Sequence, residues 1–112
     1  MTEPVSIDVV VCTYDNAASL ELVLGALARQ AVPADVDWGV LVVDNNCTDG
    51  TPALLERLGA EGSLPLRVVR ETVQGLTPAR RRGVAETSRD WIAFVDDDCV
   101  VGDDWVAQAA DV

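Results

Sequence analysis

Three consecutive carboxylates, Asp96-Asp97-Asp98, close the apolar run Trp91-Ile92-Ala93-Phe94-Val95. The run reads as a buried strand, and the acids stand at its C-terminal end. Three acids at one strand end repel each other unless something neutralises them. A divalent cation does so, because hard cations take carboxylate oxygens. The bland alternative is a solvated turn. Two more polar clusters follow apolar runs: Thr13-Tyr14-Asp15 after Val9-Val10-Val11, and Asp44 to Asp49 after Val40 to Val43. A basic triplet, Arg80-Arg81-Arg82, falls in the first turns of a predicted helix. Cations there oppose the helix dipole at about 0.3 kcal/mol or more each, which suggests another use for at least one of them.

What is absent narrows the chemistry. The chain has no histidine, so it lacks the commonest general base and metal ligand and cannot build a serine–histidine pair. Neither G-x-G-x-x-G nor G-x-x-x-x-G-K-[ST] occurs, so a dinucleotide fingerprint and a P-loop are unsupported. Ligand phosphates would instead be held by a metal on the acidic triplet. Magnesium or manganese typically takes one or two protein carboxylates plus phosphate oxygens. Cys12, Cys47 and Cys99 show no C-x-x-C spacing, which favours reduced thiols and an intracellular, cytoplasmic location.

The elements that must position these groups alternate along the chain. Val5 to Val11 reads as a strand, with Asn16 capping a helix that carries Leu20, Val23, Leu24 and Leu27. Val40 to Val43 is a second strand. Thr51-Pro52 then starts a helix that Gly59 would stop. Leu66 to Val69 is a third strand, and Thr77-Pro78 opens a helix from Ala79 to about Thr87. Trp91 to Val95 is the fourth strand, with Trp91 and Phe94 expected in the core, and a last helix starts near Trp105. This order predicts an α/β fold: a mostly parallel sheet with helices on both faces. In such sheets ligands bind outside the carboxyl ends of the strands, where the polar residues crowd.

The 112 residues suit one domain, 1–112. With 8 basic and 19 acidic residues the net charge is −11, which argues against a nucleic-acid partner. No apolar run reaches the roughly 20 residues of a membrane span. The first residues, Met1-Thr2-Glu3-Pro4, lack the basic flank of a signal peptide.

Four segments together resemble the N-terminal, nucleotide-sugar-binding half of a family 2 glycosyltransferase with the Rossmann-like GT-A fold. Val9 to Asn16 resembles the opening strand and its P-T-Y-N loop. Leu41 to Thr51 resembles V-V-D-N-x-S-T-D-G-T. Gly75 to Gly83 resembles G-x-x-x-A-R-N-x-G, and Ile92 to Asp98 resembles the strand into the D-x-D motif. The resemblance implies a nucleotide-sugar donor, with UDP the expected nucleotide, and Mn2+ or Mg2+ as cofactor. It implies that Thr13, Tyr14 and Asp15 line the nucleotide, that Asp44 accepts a hydrogen bond from the base, and that Arg80 lies near base and phosphates. Asp98, with Asp96, would bind the metal, and Asp96 or Asp97 would face the ribose. Cys12, Cys47 and Arg81 stand where the family commonly has proline, serine and asparagine. Family members continue for roughly another domain's worth of chain, which supplies the acceptor site and the general base. No catalytic base is therefore expected here, and the acceptor is undefined. The competing readings are a non-catalytic nucleotide-binding or assembly module, and a nucleotidyltransferase. The latter is disfavoured by the lack of a glycine-rich basic loop after the first strand. An uncovered edge at the fourth strand is expected to favour self-association.

Overall fold

Four apolar, β-branched runs become four strands, each followed by a helix. The computed structural model describes residues 5–111, so the first four residues and their expected lack of a signal lie outside it. The order is β1 (Val5–Thr13), α1 (Ala17–Ala28), β2 (Val36–Asp44), α2 (Thr51–Glu61), β3 (Leu66–Arg70), α3 (Leu76–Glu86), β4 (Trp91–Phe94) and α4 (Trp105–Ala110). All strand pairs are parallel, in the order β3-β2-β1-β4. The register sets Val9 beside Val40 and Ala93, and Thr13 beside Asp44. Because the strands are parallel, their carboxyl ends share one edge of the sheet.

The continuous valine runs are explained by cover on both faces. Val9, Val11, Val40 and Val42 face a cluster with Leu20, Val23, Leu24 and Leu27 of α1, Leu54 and Leu55 of α2, and Val106 of α4. Val10, Leu41 and Val43 face the other way, onto Ala79 of α3. Each fully buried leucine contributes about 2 kcal/mol. Gly83 lets α3 approach the sheet closely, since a Cβ there would stand 2.7 Å from Val10 Cγ1.

Several local expectations are corrected. Asn16 makes no side-chain cap bond to α1. Asp49 does the capping instead: its Oδ2 accepts from Ala17 N at 3.2 Å and its Oδ1 from Thr51 N at 3.0 Å. One carboxylate thus serves two helix starts. Helix α2 runs through Gly59 and stops at Gly62, the glycine that takes the left-handed conformation, φ 73°. Helix α3 starts at Leu76, upstream of Thr77-Pro78, because Gly75 at φ 131° turns the chain into it. Pro78 is tolerated within the first turn, where backbone N–H groups have no intrahelical partner. Trp91 and Phe94 are exposed rather than core. Strand β4 is an edge, and α3 packs over β1 and β2, leaving those two rings uncovered.

Candidate functional site

Strand ends and the loops after them build an open cleft of about 350 Å3 at the carboxyl edge of the sheet. Cys12, Thr13 and Tyr14 come from the end of β1 and its loop. Asn45, Gln74, Gly75, Leu76 and Asp97 also line it. Thr13 is buried, and its Oγ1 donates to Asp97 Oδ2 at 3.0 Å. Tyr14 is 54% exposed, so its ring is available on the cleft wall rather than packed away.

The part of the lining at Asn45 and Gly75 is held by amides. Asn45 is buried, and its Nδ2 donates to the carbonyls of Glu71 and Val73, each at 2.9 Å. Its Oδ1 accepts from Gly75 N at 2.9 Å. These bonds fasten the 71–75 loop to the end of β2. Asp44, one residue earlier, turns the other way. Its Oδ1 accepts from Cys47 N at 2.8 Å and its Oδ2 lies 3.7 Å from Arg70 Nη1. It is almost wholly buried and does not line the cleft.

Asp15 adopts a positive φ of 45° and reaches to the next loop. Its Oδ1 accepts from Thr48 N at 2.6 Å and Asp49 N at 3.2 Å, and its Oδ2 accepts from Thr48 Oγ1 at 3.2 Å. Its carboxylate therefore ties the β1–α1 loop to the β2–α2 loop beside the cleft.

Arg80 projects from α3 over the Phe94 ring, 5.7 Å from the centroid, a cation–π distance. Its Nη2 is 4.0 Å from Asp96 Oδ1. The exposed ring is thus a platform for this guanidinium. Arg81 is exposed. Arg82 bonds Glu86 at 3.0 Å and lies 3.9 Å from Glu71.

The acidic triplet does not converge on one point. Asp97 faces Thr13, whereas Asp96 and Asp98 are exposed at the strand end. Among the described residues, the one group of three ligand-type side chains with atoms within 4.8 Å of each other is Asp15, Cys47 and Asp49. Those carboxylates already accept backbone N–H bonds. Burial pushes the Cys47 thiol up to about 11. Burial also raises the Cys12 thiol. Asp96 and Asp98 offer hard, accessible oxygens, a set that suits a cation completing its shell with phosphate and water.

Residues 8–112 match the family model described as Glycosyl transferase family 2. The chain belongs to that family. The succinoglycan biosynthesis protein ExoM of Rhizobium meliloti is 32% identical over 106 residues, covering 95% of this chain and 34% of ExoM. TarS 1-349 of S. aureus, solved in complex with UDP-GlcNAc, superimposes with a TM-score of 0.84 at 26% identity, covering 95% of this chain and 30% of that one. The mannosyltransferase PcManGT of Pyrobaculum calidifontis, solved with GDP-Man and Mn2+, gives a TM-score of 0.74 at 31% identity, covering 82% and 27%. The chain spans about a third of the length of the curated relatives ExoM and AglE. Among the described residues no helix is long and apolar enough to cross a membrane.

Of the residues singled out by sequence, Thr13, Tyr14 and Asp97 line the cleft, and Asp15, Asp44, Arg80, Asp96 and Asp98 lie outside its lining. Sequence reasoning did not single out Asn45, Gln74, Gly75 and Leu76. The available signal was Asn45 itself, a polar residue directly after a buried strand.

Proposed function

We propose that this chain is the donor-binding portion of an inverting glycosyltransferase, taking a UDP-sugar with Mn2+ or Mg2+. The observation that carries the reading is the cleft at the strand ends, with the Thr13–Asp97 hydrogen bond and the amide-held lining. Tyr14 would stack on the base and Asp97 would face the ribose. Asp98, with Asp96, would hold the cation, and Arg80 would lie toward the phosphates. When bound, the cation supplies charge stabilisation to the departing diphosphate. The chain's own part is to bind and orient the donor. The structural neighbours lend support, with UDP-GlcNAc in TarS, and GDP-Man with Mn2+ in PcManGT.

The general base and the acceptor site are assigned to chain beyond these residues, since family relatives are about three times as long. A non-catalytic nucleotide-binding module is the second reading, which the same cleft would serve. Calorimetric titration of UDP tests the first reading. Binding is expected with Mn2+, lost with chelator, and lost in Asp98→Ala. UDP binding that ignores chelator overturns the metal assignment, and no UDP binding at all overturns the donor site. Donor hydrolysis or transfer by the chain itself would exclude the binding module.

A further inference from the structure

The amide of Gln74 stands on the cleft wall with its polarity set by backbone groups two bonds away. The carbonyls of Glu71 and Val73 can only accept, and Gly75 N–H can only donate. Together they fix which end of Asn45 is Nδ2 and which is Oδ1. The carbonyl of Thr72 likewise fixes Asn46 Nδ2, at 2.9 Å. Both asparagines then address Gln74. Its Nε2 donates to Asn45 Oδ1 at 3.3 Å, and its Oε1 accepts from Asn46 Nδ2 at 3.1 Å. A side-chain amide has two N–H groups and two acceptor lone pairs. Gln74 therefore keeps one donor and one acceptor, and it cannot exchange them by flipping without breaking both bonds.

We infer that Gln74 reads the nucleobase of the donor and separates an edge of the uracil kind from one of the cytosine kind. This rests on the donor-site reading above. An amide locked in one polarity selects a base edge whose ring N–H stands beside a carbonyl, as in uracil. Cytosine reverses both groups, presenting a ring acceptor beside an amino donor. With the ring held in the pose that uracil takes, the locked amide sets donor to donor and acceptor to acceptor against it. A free glutamine would flip and accept either base, so the asparagine pair is what turns a contact into discrimination.

The test compares UDP and CDP by calorimetry with saturating Mn2+, in the unmodified chain, in Gln74→Ala and in Gln74→Met, which keeps the length without the polarity. The unmodified chain is expected to prefer UDP by about tenfold, the effect of one or two hydrogen bonds gained or opposed. Both variants are expected to bring the two affinities within about threefold, chiefly by weakening UDP, with the Mn2+ response and the melting temperature retained. An unmodified chain that binds UDP and CDP alike overturns the inference, as do variants that keep the preference. Failure of both nucleotides to bind overturns the donor site itself, and the inference with it.

Discussion

Thr13 Oγ1 donates to Asp97 Oδ2 across 3.0 Å, joining two strand ends 84 positions apart in sequence. Thr13 is only 2% exposed, and β1 carries it into the cleft as the last residue of a fully paired strand. The bond holds one acid of the triplet inward, while Asp96 and Asp98 remain outside. Division of the triplet is therefore built into the scaffold.

Replacing Thr13 by valine keeps the volume and removes the donor. The Asp97 carboxylate, half-buried, then loses its partner. Stability is expected to fall by about 1–2 kcal/mol, the usual cost of leaving a partly desolvated acceptor unpaired. Urea unfolding of the two chains reads this as a lower midpoint with unchanged slope. A midpoint equal to that of the unmodified chain would show that the bond contributes nothing.

The opposite edge of the sheet holds a buried charge pair with a defined pH signature. Asp8 on β1 is 2% exposed. Its Oδ1 accepts from Arg89 Nη1 at 2.8 Å, and its Oδ2 accepts from the backbone N–H groups of Ser88 and Arg89. Gly39 makes room, since a Cβ there would meet Arg89 Nη1 at 2.8 Å. Burial works to raise the Asp8 carboxyl, but the guanidinium and the two N–H groups outweigh it, and the group is held below its ordinary value. The folded state thus binds this proton less readily than the unfolded one. The stabilisation is present above the unfolded value, about 4, and is lost as pH falls through the folded value. Asp8→Asn is expected to cost roughly 2 kcal/mol at neutral pH. It should also flatten the decline of stability below about pH 4, read as melting temperature against pH. Equal slopes for the two chains would remove Asp8 from the acid transition.

Parallel order and double cover were legible because Val9-Val10-Val11 and Val40 to Val43 leave no polar face along their runs. The edge that carries the cleft was legible too, since Thr13, Asp44 and Asp96 each follow such a run. What sequence concealed is what distant residues do to each other. Asp49 caps a helix that begins 32 positions earlier, so the nearby Asn16 looked sufficient. Asn45 finds its partners at residues 71–75, and Arg82 finds Glu71, neither of which local spacing reveals. Gly59 and Gly62 are equally plausible stops by composition, and only the backbone angle at Gly62 decides between them. Trp91 and Phe94 look like core because an edge strand and a central strand can share the same residues.

That edge leads to the last prediction. Strand β4 pairs with β1 and, among the described residues, with no strand on its other side. Its outer backbone groups are a template for another strand. Trp91 is 66% exposed at its start, and Val5, Ile7, Ile92, Ala93, Ala109 and Ala110 line an apolar groove of about 420 Å3 alongside. An apolar face and unpaired backbone in one place favour self-association of this chain through β4. Sedimentation velocity at tens of micromolar is expected to show concentration-dependent species above the monomer. Trp91→Lys puts a charge on the edge and removes the exposed ring, the device by which natural edge strands avoid pairing. It is expected to shift the distribution back to monomer while leaving the melting temperature nearly unchanged, because the side chain buries little in the folded monomer. A monomer at every concentration for the unmodified chain would mean that the short, four-residue edge is too small to pair.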